Sequence, residues 1–419
     1  MTAQMTTLDN GLRIATDDMP GVETVSLGFW VGVGTRHEPE EANGVAHLVE
    51  HMLFKGTPTR TAFDISAQLE NVGGHLNAYT TREVTAYHAK VLRQDFALAT
   101  DVLSDMLLHA TLDEAELERE RGVIIQEIGQ SIDQPDDIIF DHVQATCYPG
   151  SGLGRPILGT ADIIKSLPRN RMQEYIGTNY AAGQAIFAAA GAVKHEEVVD
   201  LVQRLCAGMG KKAATKPNAA AFQSGDVRED RDIEQLHALI TFKGLSYHDP
   251  DYYGISVLST LLGGGMSSRL FQEVREKRGL VYSIYSYASA HADGGQFGIY
   301  AGTDPERINE LLPVIAEELH KAAQDVTEDE LKRAKAQLRA SLFMAQESTG
   351  ARAEKMAYNQ LVYNRMVPNE EIINRIDAIS REDMVRLMRG ILSAPPVTGF
   401  VGPIGKVPTG ADIAKRFAI

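Results

Sequence analysis

Gly44-Val45-Ala46-His47-Leu48-Val49-Glu50-His51-Met52-Leu53 is an apolar helical pattern interrupted by three polar residues, and it has an echo in the second half of the chain. Gly254-Ile255-Ser256-Val257-Leu258-Ser259-Thr260-Leu261-Leu262-Gly263 lies on it at an offset of 210, with Gly254 under Gly44. A second pair follows at an offset of 214: Leu331–Ser341 (LKRAKAQLRAS) lies on Leu117–Glu127 (LERERGVIIQE). Both halves show a helix, a strand pair, a helix, then an acidic cap and a charged helix. Two repeats of this size indicate a duplicated domain. The expected division is residues 1–207, a linker at 208–226 rich in Gly, Ala, Lys and Pro, and 227–419.

Working outward, Asp9-Asn10-Gly11 favours a tight turn between short strands. Val25–Glu38 reads as a buried strand and its exit loop. Asn43 is placed to cap the helix that stops near Gly56-Thr57-Pro58. Phe63–Val72 reads as a short helix, followed by strand-like HLNAYTT and EVTAYHAKVL. The apolar spacing of Phe96, Ala99, Val102, Leu103 and Met106 predicts a helix to Ala110. Asp113 caps a long charged helix that Pro135 ends or kinks. The fold class expected is α+β: two homologous domains, each a mainly antiparallel sheet with helices on one face.

At 419 residues, 44% hydrophobic and 23% charged, the chain has material for two or three domain cores. A net charge of −15 argues against a duplex nucleic-acid binder. No apolar run approaches the length of about 18 residues that a membrane span needs. The two cysteines, Cys147 and Cys206, read as buried thiols of a reducing compartment, and the expected location is cytoplasmic.

The three polar residues of the opening stretch carry the chemistry. His47 and His51, four apart on a helix, share one face. Two neutral imidazoles can hold Zn²⁺, leaving Glu50 beside the metal to take a proton from bound water. The order H-x-x-E-H is the reversed zincin motif. A catalytic zinc needs a third protein ligand. The candidate is Glu127, on the long acidic helix, with Glu120 two turns earlier suited to orient an imidazole. Under the two offsets His47, Glu50, His51 and Glu127 become Val257, Thr260, Leu261 and Ser341. Core packing alone gives no reason for that difference. His75, His88, His109 and His142 read as surface or packing residues.

At this point the chain resembles the inverzincin peptidases of the pitrilysin type, specifically the short-chain branch containing the mitochondrial processing peptidase subunits and their bacterial relatives. GVAHLVEHMLFKGT, GGHLNAYTTREVTAYHAKVL, ERERGVIIQEI and SSRLFQEVREKRGLVYSIYS carry the likeness, which covers nearly the whole chain. The resemblance implies one zinc per chain on His47, His51 and Glu127, with Glu50 as general base. It implies that substrate adds as a strand beside HLNAYTT, with Asn77 and Ala78 near the scissile bond. Phe54 matches a position lining the pocket beyond that bond. Asp137 and Asp141 match acidic positions that receive an arginine, which favours basic peptides. Arg275 and Tyr282 match a pair that supports the substrate carbonyl from the opposite half. The short loop Gly263–Ser268 likens the chain to the catalytic subunit rather than its glycine-rich partner. The expectation is therefore a zinc endopeptidase cleaving unfolded or extended peptides inside an enclosed homodimer. The alternatives are a subunit active only with an unlike partner and a non-catalytic core or assembly subunit. No nucleic acid or membrane partner is expected.

Overall fold

The computed structural model describes residues 3–211 and 217–419. Part of the expected linker, 212–216, lies outside the described residues. The chain forms two compact units. The first comprises Met1–Gly129, Arg155–Asn218 and Met344–Val367; the second comprises Gln130–Gly154, Ala219–Phe343 and Pro368–Ile419. Chain order alone does not produce this partition. One segment from each half groups with the unit built mostly from the other half.

The first unit holds a six-stranded sheet. Its strands are β1 (Gln4–Thr7), β2 (Arg13–Asp18), β3 (Thr24–Val31), β4 (His75–Thr80), β5 (Thr85–Leu92) and β6 (Ala185–Gly191), in the order β1-β2-β6-β3-β5-β4. Only β2 and β6 run parallel. The second unit repeats this plan, without a counterpart of β1 among the described residues. Its strands are β7 (Gly225–Asp230), β8 (Leu236–Lys243), β9 (Val281–Ala290), β10 (Gly295–Thr303) and β11 (Val397–Gly402), in the order β7-β11-β8-β10-β9, with β7 and β11 parallel. Strand for strand, the second order matches the first from β2 onward, so the duplication visible in the helices extends to sheet topology.

One face of the first sheet is covered by α1 (Val45–Leu53), α2 (Ala62–Glu70), α3 (Phe96–His109) and the helix His195–Leu205. The core there includes Leu27, Phe29, Tyr87 and Phe187. The expectation of helices on one face only is corrected by the other face. There Trp30, Ala86, Ile186 and Ala188 pack against Ala353, Met356 and Ala357 of the helix Thr349–Tyr363. In the second unit α5 (Pro135–Cys147) plays the matching part: Ile139 and Val143 pack with Leu239, Val397 and Val401. The physical reason is written in the strands. β6 reads AIFAAAG and β11 VTGFVG, and every residue of both is buried. A strand apolar on both faces needs cover on both. The fit is close: a Cβ on Gly399 of β11 would sit 2.3 Å from Val143 Cγ2 of α5.

Locally most expectations hold. α4 (Glu114–Asp133) starts at Asp113, whose Oδ1 accepts from Ala115 N and Glu116 N at 2.8 and 3.1 Å. Pro135 opens α5. The cap of α1 differs. Asn43 does not cap it; its Nδ2 donates to Glu38 Oε2 at 2.8 Å and to Pro156 O at 3.1 Å. The cap position belongs to Gly44 at φ +95°, and the free N–H groups of the first turn are taken by Glu38. Its Oε2 accepts from Gly44 N at 2.9 Å and its Oε1 from Ala46 N at 2.8 Å. Burial pushes the Glu38 carboxyl up to about 7, against these bonds and that from Asn43. A carboxyl group from the loop just before the helix has taken the place of the adjacent cap residue.

Candidate metal centre

α1 carries His47, Glu50 and His51, and α4 carries Glu120 and Glu127. On α1 the apolar residues Val45, Ala46, Leu48, Val49, Met52 and Leu53 are buried. The polar residues left over form the face toward α4. The two imidazoles stand edge to face, with ring centroids 4.6 Å apart. Glu127 Oε2 lies 3.9 Å from His47 Nε2 and 3.6 Å from His51 Nε2. One ligand atom from each of the three residues falls within 4.8 Å of the others.

The surrounding bonds prepare these atoms for a cation. Glu120 is buried, and its Oε2 accepts from His51 Nδ1 at 2.9 Å. That bond puts the proton on Nδ1 and leaves the Nε2 lone pair aimed at Glu127. Lys55 Nζ donates to Glu120 Oε1 at 2.8 Å and fixes the carboxylate in turn. Burial, then the neighbouring His51, pushes the His47 ring down to about 4, so it is neutral at neutral pH. Among the described residues Glu127 Oε2 has no hydrogen-bond partner, and this atom is buried although the side chain as a whole is 38% exposed. A buried carboxylate oxygen without a donor is costly, and the ring nitrogens at 3.9 and 3.6 Å are too far to relieve that cost by a hydrogen bond. A divalent ion would. The donor set, two imidazoles and one carboxylate, is one that catalytic zinc takes with a fourth position open. The residues fit zinc.

Glu50 sits on the flank of the same helix. Thr80 Oγ1, at the end of β4, donates to Glu50 Oε2 at 2.5 Å. Burial raises the Glu50 carboxyl above its ordinary value, opposed by the Thr80 bond and His51 and assisted by Glu127. Asn77 and Ala78 lie on β4, the last strand of the sheet. Asn77 Oδ1 accepts from Ala78 N at 2.9 Å. Phe54 closes α1 and packs half-buried against the first core. Asp137 and Asp141 ride on α5 and belong to the second unit; Ser131 Oγ donates to Asp137 Oδ2 at 2.6 Å. Arg275 and Tyr282 are also in the second unit. Arg275 is carried by a π-helical turn, Phe271–Glu276, with its guanidinium 4.8 Å from the Phe271 ring centroid. Tyr282 is exposed on β9. At the positions matched to the first half, Val257 and Leu261 are buried core residues.

Sequence reasoning passed over Glu38, Lys55 and Thr80. Lys55 stands four residues beyond His51, a spacing that could have drawn attention to it. Glu38 and Thr80 carry no local signal, because each acts on α1 from another element.

Two family models match. Residues 13–161 match the insulinase family (peptidase family M16), and residues 166–338 match the peptidase M16 inactive domain. The chain belongs to peptidase family M16. An uncharacterized zinc protease of Streptomyces coelicolor is 39% identical to this M16 chain over 413 residues, covering 96% of this chain and 90% of that protein. The human mitochondrial-processing peptidase subunit beta is 35% identical over 420 residues, covering 97% of this chain and 85% of that protein. Among solved structures, a protease from Helicobacter pylori aligns at a TM-score of 0.91 and 23% identity, covering 96% of this chain and 99% of that one, which speaks to the fold alone. The M16 half that matches the inactive-domain description is the half without the histidine pair.

Proposed function

We propose that this M16 chain is a zinc endopeptidase that hydrolyses extended peptides, with one zinc per chain. The observation that carries the reading is the convergence within one ion's reach of His47, His51 and Glu127 Oε2, an oxygen with no hydrogen-bond partner among the described residues. These three residues would hold the ion, which when bound supplies Lewis acidity that acidifies water toward a pKa of about 7 and polarises the scissile carbonyl. Glu50 accepts the proton of the attacking water and delivers it to the leaving amine. The Thr80 hydroxyl occupies Glu50 Oε2 and so leaves Oε1 as the proton-carrying atom. Its raised basicity, a consequence of burial, suits that task. Glu120 positions the His51 ring.

The peptide adds along β4. That strand ends its sheet, and the Ala78 N–H is met by the side chain of Asn77, its own neighbour. A peptide carbonyl arriving at this edge would take over that N–H, and backbone bonds of this kind grip any extended sequence. The working assembly we propose is a homodimer, tested by size exclusion with light scattering; a monomer at working concentration counts against it. A cytoplasmic location is proposed on the two buried, unpaired thiols and is checked by fractionation.

The direct test uses a basic, unstructured peptide of about 20 residues with the purified chain and zinc. Glu50→Gln should bind zinc as wild type does and lose at least about 100-fold in kcat. Equal cleavage by that variant would remove Glu50 from its role.

A further inference from the structure

On the face of the first sheet that the helix Thr349–Tyr363 covers, one corner is open. A cavity of about 340 Å³ lies there over β3, β5 and β4. Its walls include Trp30, Asn77, Tyr79, His88, Ala353 and Glu354. The interior is aromatic. The Trp30 and His88 rings stack at 6.4 Å with 14° between planes, and Tyr79 lies 6.0 Å from His88. Trp30 Nε1 donates to the Tyr79 hydroxyl at 3.1 Å, which donates to Glu354 Oε1 at 2.6 Å, so both rings are held in place. Burial keeps the His88 imidazole below its ordinary pKa, hence neutral. The charged groups, Lys90 and Glu354, are exposed and of opposite sign. Apart from Asn77, whose side chain meets the Ala78 N–H at the strand edge, none of these residues has a part in the chemistry described above.

The position of the cavity relates it to the edge strand. His75, Asn77 and Tyr79 of β4 line it, whereas Leu76 and Ala78 pack into the core on the α1 side. A peptide added beside β4 alternates its side chains between the same two faces. Residues on the far face would pass over β4 to enter the cavity, a crossing of roughly one strand spacing, about 4.8 Å. Alanine and valine are too short for that; a benzyl-sized group is long enough and matches the ring-lined interior.

We infer that this cavity is a side-chain subsite that selects an aromatic residue at one alternate position of a peptide bound along β4. The inference rests on the peptidase reading and deepens it by naming a specificity determinant away from the metal.

Trp30 is the only tryptophan of the chain, so the cavity contains its own reporter. Peptides of about 20 residues, free of tryptophan and tyrosine, would be made with phenylalanine replacing alanine at one position at a time. Binding is read from Trp30 emission in the Glu50→Gln chain, without turnover. Selectivity is read as the phenylalanine-to-alanine ratio of kcat/KM, in wild type and in Gly350→Phe. Gly350 also lines the cavity, and a Cβ there meets only Ser348 Oγ at 3.7 Å and Ser26 Oγ at 3.8 Å, which is ordinary contact. At one position phenylalanine should shift Trp30 emission and raise kcat/KM about tenfold or more; Gly350→Phe should bring the ratio to near one. Cleavage of all peptides with no aromatic preference overturns the subsite and leaves the peptidase reading intact. So does a preference that Gly350→Phe does not alter, or one without a Trp30 response. No cleavage by the zinc-loaded wild type with the Trp30 response present sinks the hydrolysis and leaves the peptide subsite standing.

Discussion

Replacing Glu120 by glutamine should weaken zinc binding by about 10–100-fold without removing a ligand. The side chain is buried and its carboxylate meets two donors, His51 Nδ1 at 2.9 Å and Lys55 Nζ at 2.8 Å. Glutamine keeps the volume, and its oxygen can still accept from one of them. Its NH₂ then faces the other donor, so either the His51 bond or the Lys55 bond is lost. If Lys55 is expelled, the imidazole keeps its tautomer but loses the negative charge that makes it a stronger ligand, which favours the lower end of the range. If the His51 bond is lost, the ring is free to turn and the loss reaches the upper end. At about 1.4 kcal/mol per tenfold, the range is about 1.4–2.8 kcal/mol. Zinc affinity is measured by competition with a chromophoric chelator at fixed pH and salt. The same deficit should appear as a smaller zinc-induced gain in unfolding free energy at saturating free zinc, because stabilisation follows the logarithm of ligand over Kd. A Glu120→Gln dissociation constant within about twofold of wild type, with the fold intact, would refute the claim that Glu120 prepares His51 for the metal.

Other expectations follow from the same contacts. Gly44→Ala forces a Cβ onto a residue at φ +95° and to within 2.7 Å of Leu158 O, so it should cost about 1–3 kcal/mol, read from the urea midpoint. Burial alone would raise the Glu330 carboxyl, but bonds from Arg269 and Thr327 outweigh it and hold it down at about 2. A depressed carboxyl stabilises the fold above its unfolded value and loses that contribution as pH falls through the folded one. Glu330→Gln should therefore be less stable than wild type by about 2 kcal/mol at pH 7, with the gap narrowing below about pH 4.5 in urea melts. Burial pushes the Cys147 thiol up to about 12 and Cys206 up to about 11, so neither should react with a thiol reagent in the native state, and both should react in denaturant.

Some of the molecule was legible in particular residues. The spacing of His47 and His51, the Asp113 cap and the strands flanking Arg82-Glu83 are local patterns, set by 3.6-fold or 2-fold periodicity and by single-residue capping chemistry. They were readable because each is satisfied within a few residues. Glu127 was legible only as a candidate, through its place on an acidic helix and the loss of its counterpart at Ser341. Asn43 misled because a good local capping residue was outcompeted by Glu38, which offers two oxygens to the first turn of α1.

The sequence by itself determined that two copies of one α+β plan follow each other, and that one copy carries two histidines and two carboxylates on helix faces where the other carries valine, leucine, threonine and serine. Tertiary structure decided what those faces meet. It placed Glu127 Oε2 3.6 Å from His51 Nε2, gave His51 its Glu120 partner, tied Glu50 to Thr80 and put Trp30 into a cavity over the edge strand. It also traded a helix between the halves, so that the helix Thr349–Tyr363 covers the first sheet and α5 the second. Helical and strand periodicity fixes which way a side chain points from its own element. Which partner it finds depends on how buried faces pair across the chain, where many apolar surfaces compete and only the packed whole selects among them.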